Sequence, residues 1–244
     1  MQIDMAALTH KGLVRSHNED SLYFDPQDRV AIICDGMGGH AGGQVASELA
    51  MQVVSNALRN LRPQDWTEED TVIETMKRAV FGANDHILSR ARVDPSLFDM
   101  GTTIVACAFM DDRVITANVG DSRIYRIAGS IIEQISEDHS VVAERVRAGE
   151  LDPDSIEARM LSNILSQAVG MERITVDITV EDLQPGDIYL LCTDGLSDCV
   201  DPPTLLQTVR DHPDLQLACV KLVDLALAAG GPDNITLALI RTGG

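Results

Sequence analysis

Four aspartates stand where an apolar run meets glycine, a placement that suits chemistry better than folding. Ile32-Ile33-Cys34 runs into Asp35-Gly36, Val119 into Gly120-Asp121-Ser122, and Leu190-Leu191-Cys192-Thr193 into Asp194-Gly195. The last apolar run is preceded by Gly230-Gly231-Pro232-Asp233-Asn234. Taken singly, Asp-Gly reads as a turn dipeptide. A hairpin needs a second strand at once, however, and neither Asp35-Gly36 nor Asp194-Gly195 is followed by one. If these carboxylates converge, two of them ~4 Å apart in a partly buried site repel by several kcal/mol. They must then share protons or hold cations. Oxygen donors without a Cys or His cluster select hard ions such as Mg²⁺ or Mn²⁺. Several aspartates around one or two such ions suit hydrolysis at phosphorus, where a bridging water becomes the nucleophile.

Other residues bear on that chemistry. Arg15, beside Asn18-Glu19-Asp20, could grip a phosphate with both nitrogens while the acids serve a metal shell; alone it reads as a surface ion pair. His40, five residues after Asp35, could protonate a leaving alkoxide; alone it reads as an exposed loop histidine. His10, His17, His86, His139 and His212 have weaker claims, and the role of His139 stays open. The stretch Gly36-Met37-Gly38-Gly39-His40-Ala41 also fits a loose dinucleotide fingerprint. Against it, Asp35 would face the pyrophosphate, and the chain is still helical about 20 residues on, where a strand should end in an acid. No Gly-Lys-Ser/Thr phosphate loop occurs.

The elements that must position these residues are read from periodicity. Apolar runs at 30–34, 102–110, 114–119, 188–192 and 234–240 predict strands, with a hairpin at Asp111-Asp112 and further strands at 122–127 and 131–135. Val45, Leu49, Val53, Ala57 and Leu61 predict one face of a helix over 43–61. Val72, Met76, Val80, Ala83 and Ile87 predict a second over 67–92, capped by Thr67, and a third runs over 215–229 to Gly230-Gly231-Pro232. Residues 136–170 are least regular. The order does not alternate strand and helix, which favours an α+β layered domain over a doubly wound parallel sheet.

Composition excludes several classes. The 244 residues suffice for one domain, and 45% hydrophobic content is ordinary for a globular chain. A formal charge of −19 disfavours nucleic acid and anionic lipid. No apolar run reaches the ~20 residues of a membrane helix, and Met1-Gln2-Ile3-Asp4 does not begin like a signal peptide. Five cysteines without C-x-x-C spacing predict neither a zinc site nor a disulfide framework, and Cys34, Cys107 and Cys192 read as buried thiols in a reducing cytoplasm.

Arg15-x-x-Asn18-Glu19-Asp20, Asp35 through Gly43, Met100-Gly101-Thr102-Thr103, Val119 through Arg123, Cys192 through Leu196 and Gly230 through Thr236 resemble the successive motifs of the metal-dependent, protein phosphatase 2C-like family in its compact bacterial form. The motifs stand in family order over nearly the whole chain. The resemblance implies a four-layer α-β-β-α sandwich of two antiparallel sheets, one catalytic domain over 1–244, and two Mn²⁺ or Mg²⁺ ions with a third possible. It implies that Asp35 bridges the metals, that the Gly36 carbonyl meets the second, and that Asp194 and Asp233 complete the first. Asp121 with Asp194 would hold the third ion, and Asp20 with Glu19 would act mostly through metal-bound water. Arg15 would bind substrate phosphate and His40 would be the general acid. Residues 136–170 would be a flap beside the site, where Ser162 replaces a basic residue common in relatives and puts substrate preference in question. The expected activity is hydrolysis of phosphoserine and phosphothreonine in proteins, opposing a Ser/Thr kinase, by a cytoplasmic monomer. A catalytically silent phosphoprotein-binding module is the alternative; its mark would be a lost metal aspartate, and none is lost. A nicotinamide-dependent oxidoreductase is the third reading.

Overall fold

The Val30–Cys34 run is apolar throughout because both faces of its strand are covered. Val30, Ile32 and Cys34 pack toward helices, while Ala31 and Ile33 pack toward a second sheet. A computed structural model describes residues 2–38, 42–162 and 164–243, without the side chain of Arg159. In chain order its strands are β1 (Ile3–His10), β2 (Ser21–Asp25), β3 (Val30–Cys34), β4 (Gly36–Met37), β5 (Gly101–Thr102), β6 (Ile104–Phe109), β7 (Arg113–Val119), β8 (Arg123–Ala128), β9 (Ile131–Gln134), β10 (Asp177–Asp182), β11 (Ile188–Cys192) and β12 (Ile235–Thr242). The helices are α1 (Gly42–Arg59), α2 (Glu69–Val93), α3 (Val141–Arg147), α4 (Ile156–Leu161), α5 (Asp194–Ser197), α6 (Pro202–Asp211) and α7 (Leu215–Ala228).

One sheet has the order β1-β12-β11-β8-β9 and the other β10-β7-β6-β3-β2; neighbouring strands are antiparallel. The sheets face each other through Val105, Phe109, Ile124, Tyr189, Leu191 and Ile240, with the Phe109 and Tyr189 rings edge to face at 5.5 Å. Helices α1 and α2 cover the second sheet, and α6 and α7 cover the first. This is the expected four-layer sandwich.

Several local expectations shift. The α1 face that is fully buried is Ala46, Ala50, Val54 and Leu58, one residue along from the expected stripe, whose members are only partly buried. Small alanines let the helix approach the sheet closely, and the larger residues flank that contact. The stripe on α2 is buried as expected. Thr67 does not cap α2: its hydroxyl donates to the Gln64 carbonyl at 2.8 Å in a preceding 3₁₀ turn, and Glu68 stands at the cap without a side-chain bond. The 102–110 run is broken at Thr103, whose N–H turns to the Asp35 carbonyl at 2.9 Å. The dinucleotide reading fails with the topology, because the loop after β3 leads to a two-residue strand, β4, within an antiparallel architecture.

Candidate active site

Antiparallel pairing brings the acid-bearing ends together. Asp35 and Asp121 follow the C-terminal ends of β3 and β7, Asp20 precedes β2, Asp194 follows β11, and Asp233 precedes β12. In the registers observed, Ser21 pairs with Cys34 and Cys192 with Leu237 and Arg123, so all five lie at one edge of the sandwich. There they meet a cleft of about 430 Å³, walled by Arg15, Asp35, Asp121, Asp194 and Asp233, with Ile164 and Leu165 from the 136–170 segment opposite.

The main chain beneath is pinned. The Asp35 N–H donates to Thr103 Oγ1 at 3.0 Å, and the Asp35 carbonyl accepts from Thr102 Oγ1 and the Thr103 N–H, each at 2.9 Å. Asn234 ties the Arg15–Asp20 loop to β12, accepting the Glu19 N–H at 2.8 Å and donating to the Lys11 and His17 carbonyls. Thr236 donates to Asp20 Oδ2 at 2.6 Å and Thr193 does so at 3.2 Å. Sequence motifs contained these residues but assigned them no task; the only local signal is a neighbour of this kind in Thr193-Asp194 and Asp233-Asn234. Asp198, which caps the C-terminal end of α5 one turn after Asp194, also adds its charge to the group and was not singled out.

The electrostatics are those of crowded carboxylates. Burial, followed by the neighbouring charges, holds the Asp35 carboxyl well above the usual range. Burial pushes Asp20 and Asp121 up to about 7 and Asp194 up to about 6. The carboxyl groups of Asp20 and Asp194 crowd that of Asp35. Carboxyl groups in contact need a shared proton or a cation between them. Among the described residues, Asp20 Oδ1 and Asp194 Oδ1 are buried without a hydrogen-bond partner. Orphaned acceptors of that kind, in an all-oxygen set, fit hard divalent ions. The described side chains do not form a finished shell of three or more such ligands; the fit is one of donor type and unmet acceptors.

Arg15 donates to Asp233 Oδ2 at 2.7 Å while half of its side chain stays exposed to the cleft mouth. His40 falls outside the described residues, as does Asn163. Gly36 is pressed between two backbones: a Cβ there would lie 2.2 Å from the Gly43 carbonyl oxygen and 2.5 Å from that of Glu19. Gly36→Ala is expected to push β4 off the start of α1, lower stability by about 1–3 kcal/mol and depress turnover, readable by thermal melting and initial rates.

The protein phosphatase 2C family model matches residues 12–220. The serine/threonine phosphatase stp of Listeria innocua is 36% identical over 238 residues, covering 96% of this chain and 93% of its own. The crystal structure of the Mycobacterium tuberculosis serine/threonine phosphatase PstP/Ppp superimposes with a TM-score of 0.92 at 32% identity, over 100% of each chain. A structure of the PstP catalytic domain in complex with two manganese ions gives 0.89 at 32% identity, over 100% of this chain and 99% of that one. By sequence and by fold, this chain belongs to the protein phosphatase 2C family of metal-dependent serine/threonine phosphatases.

Proposed function

We propose that this cleft hydrolyses phosphoserine and phosphothreonine side chains of proteins, with Asp35, Asp194, Asp233 and the Gly36 carbonyl as the principal metal ligands. The observation that carries the reading is the convergence of Asp35, Asp121, Asp194 and Asp233 from separate strand ends on one cleft with Asp20 beside Asp35, Asp20 and Asp194 each keeping a buried oxygen unsatisfied among the described residues. Two bound divalent ions, Mn²⁺ or Mg²⁺, supply an activated water and offset charge at phosphorus. Asp121 and Asp194 would hold a third. Asp20 is oriented by Thr236 and Thr193 and faces the same cluster. Arg15 exchanges its Asp233 contact for a phosphate oxygen and keeps its charge throughout. His40, by its place in the glycine loop, protonates the leaving alkoxide. The nucleophile is water, so no phosphoenzyme forms.

The chain acts as one catalytic domain over 1–244, and residues 136–170 form a flap that meets the polypeptide around the phosphorylated residue. It works as a cytoplasmic monomer against a Ser/Thr kinase. Its charge of −19 and the lack, among the described residues, of a helix long and apolar enough to cross a membrane support partners that are neither nucleic acid nor bilayer. The catalytically silent alternative would be marked by a lost metal aspartate, and the sequence keeps all five.

Two measurements test the reading. Asp194→Asn should abolish Mn²⁺-dependent release of phosphate from a phosphopeptide, and EDTA should do the same to the wild type; turnover near the wild-type rate in either case would sink it. Arg15→Ala should raise KM for the phosphopeptide by about 10- to 100-fold, the worth of one charge-assisted hydrogen bond, with a smaller change in kcat.

A further inference from the structure

His139 opens the 136–170 segment and is only 4% exposed. Its ring has two defined partners. Nδ1 accepts the Gly120 N–H at 3.2 Å, so the neutral ring carries its hydrogen on Nε2, which donates to Asp177 Oδ2 at 2.9 Å. A carboxylate on one nitrogen thus sets the tautomer and aims the other. The His139 main chain holds the same glycine from the other side, its N–H donating to the Gly120 carbonyl at 2.9 Å. Both polar backbone groups of Gly120 are therefore taken by one residue.

Gly120 has no freedom to be replaced. Its φ is +109°, and a Cβ would lie 2.6 Å from Thr103 Cγ2. The next residue is Asp121, and the next, Ser122, shares a 2.7 Å hydroxyl bond with the Thr103 that pins Asp35. On its far side His139 closes the neck of the flap. Its carbonyl accepts the Ser166 N–H at 2.9 Å, Ser140 bridges to Leu165, and the Val141 N–H donates to the Ile164 carbonyl at 2.9 Å. Ile164 and Leu165 are the cleft wall facing the carboxylates. A buried histidine that merely filled space would not need both backbone atoms of the residue before a cleft aspartate.

We infer that His139, oriented by Asp177, is a positioning residue that sets the Asp121 carboxylate and the Ile164–Leu165 wall as one unit. It touches neither substrate nor metal and acts through Gly120 and the flap neck. The metal role given to Asp121 rests on the proposed function; the positioning itself does not.

The test compares His139→Asn, His139→Gln, His139→Ala and Asp177→Ala in the full chain. Amide hydrogen exchange is followed in EDTA, and Mn²⁺ titrations of phosphopeptide turnover follow. Asparagine places an oxygen where Nδ1 stood; glutamine reaches Asp177 but not the Gly120 N–H. His139→Ala and His139→Gln should each speed exchange at Gly120 about tenfold or more and loosen Ser166 with it, as expected for a buried donor that loses its acceptor. The half-saturating Mn²⁺ concentration should rise about tenfold in step. His139→Asn should return both to within about threefold of wild type. Asp177→Ala, which leaves the ring in place without its orienter, should speed Gly120 exchange by about three- to tenfold and decides the matter if His139→Ala does not fold. Unchanged Gly120 protection in the alanine variants, or identical behaviour of Asn and Gln, would overturn the inference. If Asp121→Asn leaves the Mn²⁺ titration untouched, the metal role of Asp121 falls while the exchange data still judge His139.

Discussion

Asp35→Asn is expected to lower kcat on the order of a thousandfold, about 4 kcal/mol of barrier, while the metal-free protein melts at the same temperature or higher. The two halves of that result come from the same geometry. Asp35 is the carboxyl on which the charges of Asp20, Asp194, Asp121 and Asp233 all bear. Removing its charge removes the centre of the proposed metal cluster. It also removes a buried carboxyl that must either repel its neighbours or hold a proton the unfolded chain has already released, whereas an asparagine amide is neutral in both states and can donate to Asp20 and Asp194. Function here is held at the expense of stability, the trade-off expected where like charges are gathered for a ligand. Initial rates with p-nitrophenyl phosphate under saturating Mn²⁺ and melting scans in EDTA measure both halves. A variant that loses activity and also melts several degrees lower in EDTA would show that Asp35 is a structural residue.

How far the sequence alone reaches can be judged element by element. The β3 run was legible because both its faces are buried, so a plain apolar stretch ends visibly at Asp35. The α2 stripe was legible for the same reason, one wide apolar face at helical spacing. Strands β1 and β10 went unread. Each is an edge strand whose residues are mostly half-exposed. β1 breaks its alternation at Ala6-Ala7, and β10 alternates but offers only Ile178 and Val180 as its apolar face. Helix α6 was missed because Asp201-Pro202-Pro203 reads as a turn, although proline suits the first positions of a helix and Asp201 caps this one at Thr204. The site was the most legible part, since glycine beside aspartate at a strand end leaves a local mark. What the residues could not show one by one was their support. Thr236 and Thr193 reach Asp20 across more than 170 positions of sequence, and His139 reaches Gly120 and Asp177 from different elements; such contacts exist only once the sheets have paired.

The crowded carboxylates also fix how stability depends on pH, with a sign opposite to the usual acid denaturation. An aspartate in an unfolded chain gives up its proton near pH 4. In the folded protein Asp194 keeps its proton up to about 6 and Asp20 and Asp121 up to about 7, and burial among these carboxyls holds Asp35 well above its ordinary range as well. Between those limits the native state binds more protons than the unfolded state, so the free energy of unfolding falls as pH rises. The stabilisation is whole below about pH 4 and is lost progressively as pH rises through about 6 to 7, a window in which ordinary surface carboxylates are already ionised in both states. The melting temperature of the protein in EDTA should therefore drop between pH 5 and pH 7.5. Divalent ions compete for the same oxygens, so Mn²⁺ affinity should rise over this window and binding should release protons. At a free concentration of 100 times its Kd, one ion adds about 2.7 kcal/mol, which for a chain of this size raises the melting temperature by roughly 5–10 °C. Melting scans from pH 5 to 8 with EDTA or Mn²⁺, and calorimetry in buffers of different ionisation enthalpy, measure the two effects. A metal-free melting temperature that climbs from pH 5 to 7.5, or Mn²⁺ binding without proton release at pH 6, would mean that these carboxylates are already ionised and apart, each with its own charge satisfied by the protein.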